Sequence, residues 1–473
     1  MADFATFVLK NVLVVSLAVN MCLIWKISFE DEQTLAFSWE NIRQKLHFHG
    51  CCSNGEESNG IGKDAHVSTA TQILATTSSG AAPFVTDGGE GVVINLDHGD
   101  PTMYEHFWKQ KGQETTVVTS SWQHISYFSD IKNVCWFLEP GLMSAITRLH
   151  KVVGNAVTEG RHIVVGTGSS QLYQAALFAL SPHNASRPMN VVSAAPFYSS
   201  YPLMTDYLRS GLHKWAGDAN EFSKQEPYIE LVTSPNNPDG FTRQNVVKGN
   251  KGILVHDLAY YWPQYTPILL PADYDIMLFT VSKSTGHAGT RIGIDSSKRK
   301  YLHLGFILKC HSWALVKDRE IAKKMTTFIE INTIGVSKDS QIRAAKILQA
   351  ISDSCDHANQ KDAETFFDYS YKLMAQRWKE IREAVKKTKL FSLPNFPQET
   401  CTFSGRTFGQ LPAFAWLRCE GEVDDCESFL RRNKILTRGG KHFGGSTKYV
   451  RISMLSRENE FKLLIQRLPA IIS

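Results

Sequence analysis

From Val92 onward the chain alternates short apolar runs with amphipathic stretches. "HIVVGTGSSQLYQAALFAL" (162–180) reads as a strand, a glycine turn and a helix. "NVVSAAPFYSSY" (190–201), "YIELVTSPNNPDG" (228–240), "GILVHDLAYYW" (252–262) and "DIMLFTVSK" (275–283) each open as a β-rich run and close in polar residues. Strands that are apolar along their whole length, with helical segments between them, predict an α/β fold: a mostly parallel sheet covered by helices on both faces. Ligands of such sheets sit beyond the carboxyl ends of the strands, so the polar residues that close each run are the candidates for function.

The helical period dominates after about residue 315, in "DREIAKKMTTFIEINTIG" (318–335), "SKDSQIRAAKILQAISDS" (337–354) and "AETFFDYSYKLMAQRWKEIREAVKKT" (363–388). A strand at "AFAWLRC" (413–419), a helix near 423–433, a strand at "KYVRISML" (448–455) and a closing amphipathic helix complete a smaller α+β region. The expected organisation is a large domain over 92–335 and a small C-terminal domain over 336–473. Residues 29–91, rich in Gly, Ser, Thr and Asn, read as a flexible tether.

Residues 1–28 contain "FVLKNVLVVSLAVNMCLIWKI" (7–27), whose uninterrupted part, Val12 to Trp25, is short for a membrane crossing. Snorkelling of Lys10 and Lys26 lengthens it, and Trp25 suits an interface. No small-x-small cleavage pattern follows, so an uncleaved, single-pass membrane anchor is expected; a cleaved signal or an amphipathic start are the alternatives. Lysines on both sides leave its orientation open.

The bulk numbers change this picture little. The 473 residues are 43% hydrophobic and 21% charged, with a net charge of +5 and no long basic run, which argues against nucleic acid as a partner. Nine cysteines are scattered, only Cys51 and Cys52 are adjacent, and no CxxC pair exists; isolated thiols and no metal site are expected. Asn184-Ala185-Ser186 is a glycosylation triplet that matters only if its loop is lumenal.

Chemistry gathers at the strand ends. The turn Gly166-Thr167-Gly168-Ser169-Ser170 opens a helix and offers backbone N–H groups and hydroxyls to an anion, although alone such turns more often just connect elements. Ser234-Pro235-Asn236-Asn237-Pro238-Asp239-Gly240 is more specific: two prolines stiffen a loop around a pair of amides. Asp257 closes a buried strand, a costly place for a carboxylate without a cation or proton donor, and Tyr260 follows. Lys283 comes just after the next apolar run, with Arg291 beyond it. A surface lysine is the ordinary reading of Lys283; its companions oppose that. A phosphate cup, a tyrosine and an asparagine for a phenolic oxygen, an aspartate for a pyridinium nitrogen and an amine for a Schiff base are what pyridoxal 5′-phosphate requires.

The order of glycine turn, "APFY", "SPNNPDG", "HDLAYYWPQYTPI", "SKSTGHAGTRIG" and "YVRISML" resembles fold-type-I aminotransferases, and more narrowly the plant alliinase and tryptophan aminotransferase-related group. "INLDHGDPTMYEHFW", "SWQHISYFSD" and "LTRGGKHFG" extend the likeness over about residues 92–470. The resemblance implies that Lys283 holds the cofactor covalently, Asp257 faces its ring nitrogen, and Asn237 and Tyr260 lie near its phenolic oxygen. It further implies that Tyr198 stacks on the ring and that Gly168, Ser169, Ser170, Ser282 and Arg291 hold the phosphate. Tyr127 would reach the phosphate of a neighbouring subunit, which makes a homodimer the expected state. Arg451 would clamp the substrate α-carboxylate, and Tyr104 is a further substrate-binding candidate.

Two reactions are compatible with that resemblance: transfer of the amino group of L-tryptophan to a 2-oxo acid, leaving indole-3-pyruvate for auxin synthesis at the endoplasmic reticulum, or C–S cleavage of the alliinase type. The alliinases carry a cysteine-rich segment before the catalytic region, and the tether here has only Cys51-Cys52, which favours the aminotransferase. One departure stands out. "IDSSKRKYLHLGFILKCHS" (294–312) separates Gly293 from Trp313, where the group runs directly from one to the other. It reads either as a tolerated loop or as an unspliced or mispredicted segment, and displacement of the following strand would leave a catalytically impaired, membrane-tethered pseudoenzyme.

Overall fold

The computed structural model describes residues 91–184, 186–289, 312–356 and 364–471. The expected anchor (1–28), the tether up to residue 90, Arg291 and the inserted segment up to residue 311 lie outside the described residues.

Seven strands form the main sheet: β1 (His162–Gly166), β2 (Met189–Ser193), β3 (His213–Asp218), β4 (Tyr228–Thr233), β5 (Gly252–Asp257), β6 (Ile276–Thr280) and β7 (Ser312–Val316). Their spatial order is β1-β7-β6-β5-β4-β2-β3. Strand β7 runs antiparallel to both of its neighbours, and the other pairings are parallel. Every residue of β2, β4, β6 and β7 is buried. Both faces are therefore covered, which is why these segments carry no alternation of apolar and polar positions.

Helix α1 (Pro140–Val153) ends at Gly154, whose φ of +70° provides the left-handed cap. Helix α2 (Ser169–Leu180) follows β1 directly and packs over β1, β6 and β7, joined there by α3 (Arg319–Thr333). Helix α4 (Lys338–Asp356) begins near the expected domain boundary yet lies against α1, and its Gln341 side chain donates to the Phe137 and Val336 carbonyls. Helix α5 (Phe366–Lys386) then leads to a four-stranded antiparallel sheet of β8 (Phe391–Ser392), β9 (Phe414–Cys419), β10 (Arg438–Gly439) and β11 (Tyr449–Ser453), in the order β10-β11-β9-β8. Helix α6 (Glu458–Arg467) closes the described chain almost at its end.

Displacement of strand β7, one outcome considered for the inserted segment, does not occur: the strand pairs along its whole length with β1 and β6. Two sequence assignments are corrected. Ser312, assigned to the insertion, is the first residue of β7, opposite Gly166 and Thr280. Two of the supposedly isolated cysteines, Cys419 and Cys426, form a disulfide between the end of β9 and the helix Cys426–Arg432; neither has a neighbouring cysteine in sequence to betray the pairing.

Candidate active site

Strand β6 ends in a single helical turn, Val281–Ser284, that carries Lys283. Thr280 caps this turn by accepting the Ser282 N–H at 3.3 Å and donates its hydroxyl to Ser282 Oγ at 3.1 Å. At the other end the buried Gln264 side chain donates to the carbonyls of Lys283 and Ser284, at 3.3 and 3.1 Å. The lysine backbone is thus held at both ends. Nζ donates to the Gly99 carbonyl at 2.5 Å and lies 5.9 Å from the centre of the Tyr260 ring. A Cβ on Gly99 would stand 2.8 Å from Phe414 Cζ and 3.3 Å from Lys283 Nζ, so the close crossing of this strap depends on glycine.

Asp257 ends β5 beside this turn. Its carboxylate accepts from the Tyr201 hydroxyl at 2.8 Å and from the Ala259 N–H at 3.1 Å. Among the described residues it has no cationic partner. Burial raises its pKa above the usual carboxylate value, and the two donors pull it back. The Tyr260 phenol is buried and pushed well above its ordinary pKa by desolvation, with Arg451 opposing that rise.

Arg451, on β11, is 3% exposed and has no carboxylate partner among the described residues. Its guanidinium donates to the Asp97 carbonyl at 2.6 Å and to Asn237 Oδ1 at 3.1 Å, and its Nε finds no acceptor. The rings of Phe414 and Phe443 lie 4.1 and 5.2 Å from it. Burial, and then the neighbouring Arg438, bring its pKa down to about 10, so it remains charged at neutral pH. A buried cation of this kind is costly without an anion, which makes it a carboxylate site in waiting.

The two asparagines of the proline-flanked loop divide their work. Asn237 meets Arg451, while Asn236 donates to the Pro196 carbonyl and to Asp239, tying the loop to itself and to its neighbour. Gly168, Ser169 and Ser170 form the partly exposed N-terminus of α2, as the glycine turn suggested. Tyr198 stands edge-on to Tyr201 with ring centres 5.3 Å apart. Tyr104 is buried against Phe366, and its hydroxyl donates at 3.3 Å to Tyr265, whose ring stands 5.6 Å from that of Tyr260. Tyr127 is 66% exposed in the single chain. A cavity of about 430 Å³, lined by Pro196, Phe241, Trp416, Arg418 and Tyr449 among others, lies beside this cluster and is not lined by Lys283 or Asp257.

The family model described as "Allinase" matches residues 94–472. The chain belongs to the alliinase family. It is 52% identical to tryptophan aminotransferase-related protein 2 of Arabidopsis thaliana over 98% of this chain and 96% of that one. It is 53% identical to tryptophan aminotransferase-related protein 1 of Oryza sativa subsp. japonica over 83% and 86% of the two chains. Alliin lyase 1 of Allium sativum is 35% identical, over 81% and 76%. In fold, the chain is similar to aspartate aminotransferase from Thermus thermophilus, with a TM-score of 0.53 at 14% identity over 80% of this chain and 92% of that one.

Family and fold together imply pyridoxal 5′-phosphate, and the residues present fit it. Asp257 is a carboxylate without a cation, Arg451 a buried cation without an anion, and Lys283 an amine beside the Tyr260 ring.

Several residues of this site were not singled out from sequence. Asp97, Gly99 and Arg438 lie within motifs that carried the resemblance, but nothing in their local pattern tells which contacts they make. Tyr201, Gln264 and Phe414 act through long-range contacts, a signal that periodicity does not carry.

Proposed function

We propose that the protein is a pyridoxal 5′-phosphate-dependent aminotransferase that takes L-tryptophan to indole-3-pyruvate with a 2-oxo acid as acceptor. The observation that supports this reading is the convergence of two cations on Tyr260: Lys283 Nζ lies 5.9 Å from its ring centre, and the buried Arg451, which has no carboxylate partner among the described residues, lowers the cost of ionising its phenol. The 52% identity to a tryptophan aminotransferase-related protein supports the substrate.

In this reading Lys283 holds the cofactor, and its amine then moves the proton between the substrate Cα and the cofactor. When bound, the cofactor supplies an acceptor for the electrons released at Cα. Asp257 faces the ring nitrogen and, as an anion, keeps a proton there; Tyr201 fixes the carboxylate by its 2.8 Å hydrogen bond. Tyr260 and the NH₂ end of Asn237 serve the phenolic oxygen, and Tyr198 covers the ring. Gly168, Ser169 and Ser170, at the positive end of α2, would hold the phosphate with Ser282, and Arg291, outside the described residues, is assigned to it by the family resemblance. Arg451 orients the substrate by its α-carboxylate. Tyr104, buried beside Tyr265, would shape the substrate side of the site through its packing.

A homodimer completes the site through Tyr127. Residues 7–27 attach the chain to the endoplasmic reticulum membrane by a single pass. The domains divide near residue 335, with the 92–101 strap shared, since Ile94–Asn95 pairs with Ile435–Leu436.

The 35% identity to alliin lyases keeps C–S cleavage as a second reading. Purified full-length protein loaded with cofactor separates the two. Keto acid formed from tryptophan supports transamination; pyruvate and ammonia released from an S-alkyl cysteine sulfoxide support the lyase. Lys283→Ala is expected to abolish the visible absorption band of the loaded protein together with turnover, and a persistent band would place the covalent link on another residue.

A further inference from the structure

We propose that the Asp97–Arg438 ion pair at the mouth of this site selects the second carboxylate of a dicarboxylic 2-oxo acid acceptor, an inference that rests on the aminotransferase reading. Arg438 and Arg451 are cross-strand partners on β10 and β11 and so stand side by side on one face of the small sheet. Their surroundings differ. Arg451 is buried and lacks an anion, which suits the α-carboxylate that every substrate brings. Arg438 has a side chain 33% exposed, and its fork is closed on Asp97, with Nε to Oδ1 at 2.6 Å and Nη2 to Oδ2 at 3.2 Å. Its Nη1 donates to Ser199 Oγ at 3.2 Å.

Amino-group transfer brings a donor and an acceptor to the same site in turn. An aromatic donor presents an uncharged ring that makes no demand on Arg438, and the ion pair stays closed. A dicarboxylic acceptor presents a second anion that needs a cation. Arg438 is electrostatically coupled to both Arg451 and Tyr198, so it lies within range of a substrate held by Arg451. Because the ligand's carboxylate offers the same two-pronged contact that Asp97 gives up, and both side chains are part exposed, the exchange keeps the fork filled while Asp97 turns to water. The Asp97 main-chain carbonyl keeps its bond to Arg451 meanwhile, so the α-carboxylate grip survives the opening.

The test uses full-length holoenzyme with tryptophan as donor, comparing 2-oxoglutarate with pyruvate as acceptors in wild type, Arg438→Met and Arg438→Lys. In Arg438→Met the ratio of kcat/KM for 2-oxoglutarate over that for pyruvate is expected to fall at least about tenfold, with partial recovery in Arg438→Lys. Binding of glutarate, an unreactive dicarboxylate, weakens in parallel by calorimetry. A smaller fall in the ratio overturns the inference, as does an equal loss with both acceptors accompanied by a lower melting temperature, which makes the pair structural. Absence of amino transfer from tryptophan in the wild type sinks the functional reading, and this inference with it.

Discussion

At the scale of single residues, two charged groups of the site, Asp257 and Arg451, have no partner of opposite charge among the described residues. Arg451 is the clearest case, because a buried guanidinium that binds only a carbonyl and an amide oxygen retains most of its demand for an anion. Arg451→Met should lower kcat/KM for tryptophan by roughly 10²–10³-fold, the loss of a buried charge-assisted pair. The visible band of the bound cofactor should persist, since Arg451 acts on the substrate. An equal loss of band and turnover would move Arg451 into the cofactor site. The sequence made Lys283, Asp257, Tyr260 and Asn237 legible because each sits at a strand end where a polar residue is out of place. Arg438 and Asp97 were not legible in the same way: one is an arginine in a short edge strand, the other an acid in an irregular strap, and their 2.6 Å contact joins residues far apart in the chain.

At the scale of elements, the sheet places these groups, and histidines buried within its layers make its stability depend on pH. His256, on β5 beside Asp257, lies flat against Tyr274 with ring centres 3.5 Å apart, and its Nδ1 has no partner among the described residues. Burial lowers its pKa to about 4, and does the same to His150 and His287. A depressed histidine pKa means that the unfolded chain binds the proton first as pH falls. The contribution is therefore fully present above about pH 6.5 and is lost progressively down to about pH 4, at about 1.4 kcal/mol per pH unit for each histidine. Unfolding free energy measured in urea should fall between pH 7.5 and 5.5, and His256→Phe, which keeps the stack and removes the orphaned nitrogen, should reduce that slope by roughly a quarter, since burial depresses His213 as well. An unchanged slope would assign the pH dependence to other groups. The strands and the long helices were readable from their periods, since each is buried on a consistent face or on both. The antiparallel direction of β7 was not, because a fully buried strand has the same apolar pattern in either direction.

At the scale of the whole molecule, two features remain outside a single folded chain. The first is the segment before β7. Strand β7 is seated between β1 and β6 from Ser312 onward, so the additional residues do not replace any of its ladder. Deletion of residues 294–311 should leave the far-ultraviolet spectrum of the sheet and helices intact and strengthen cofactor binding, read by equilibrium titration; unchanged affinity would show the segment to be a neutral loop. The second is the apolar stretch at Val118, Trp122, Ile125, Tyr127, Phe128 and Ile131, whose exposures run from 57% to 86%. So many large apolar side chains in one short segment exceed what scattered surface residues require and suit the interface of the homodimer proposed above. If so, the double substitution Trp122→Asp and Ile125→Asp buries two unpaired charges in the interface and should convert a dimer to a monomer by light scattering. Because Tyr127 lies in the same segment and is assigned to the partner's phosphate, the monomer should also bind the cofactor at least about tenfold more weakly, the loss of one hydrogen bond to a charged group. Dissociation without any loss of affinity would separate the two roles of the segment, removing Tyr127 from the site while leaving the interface in place.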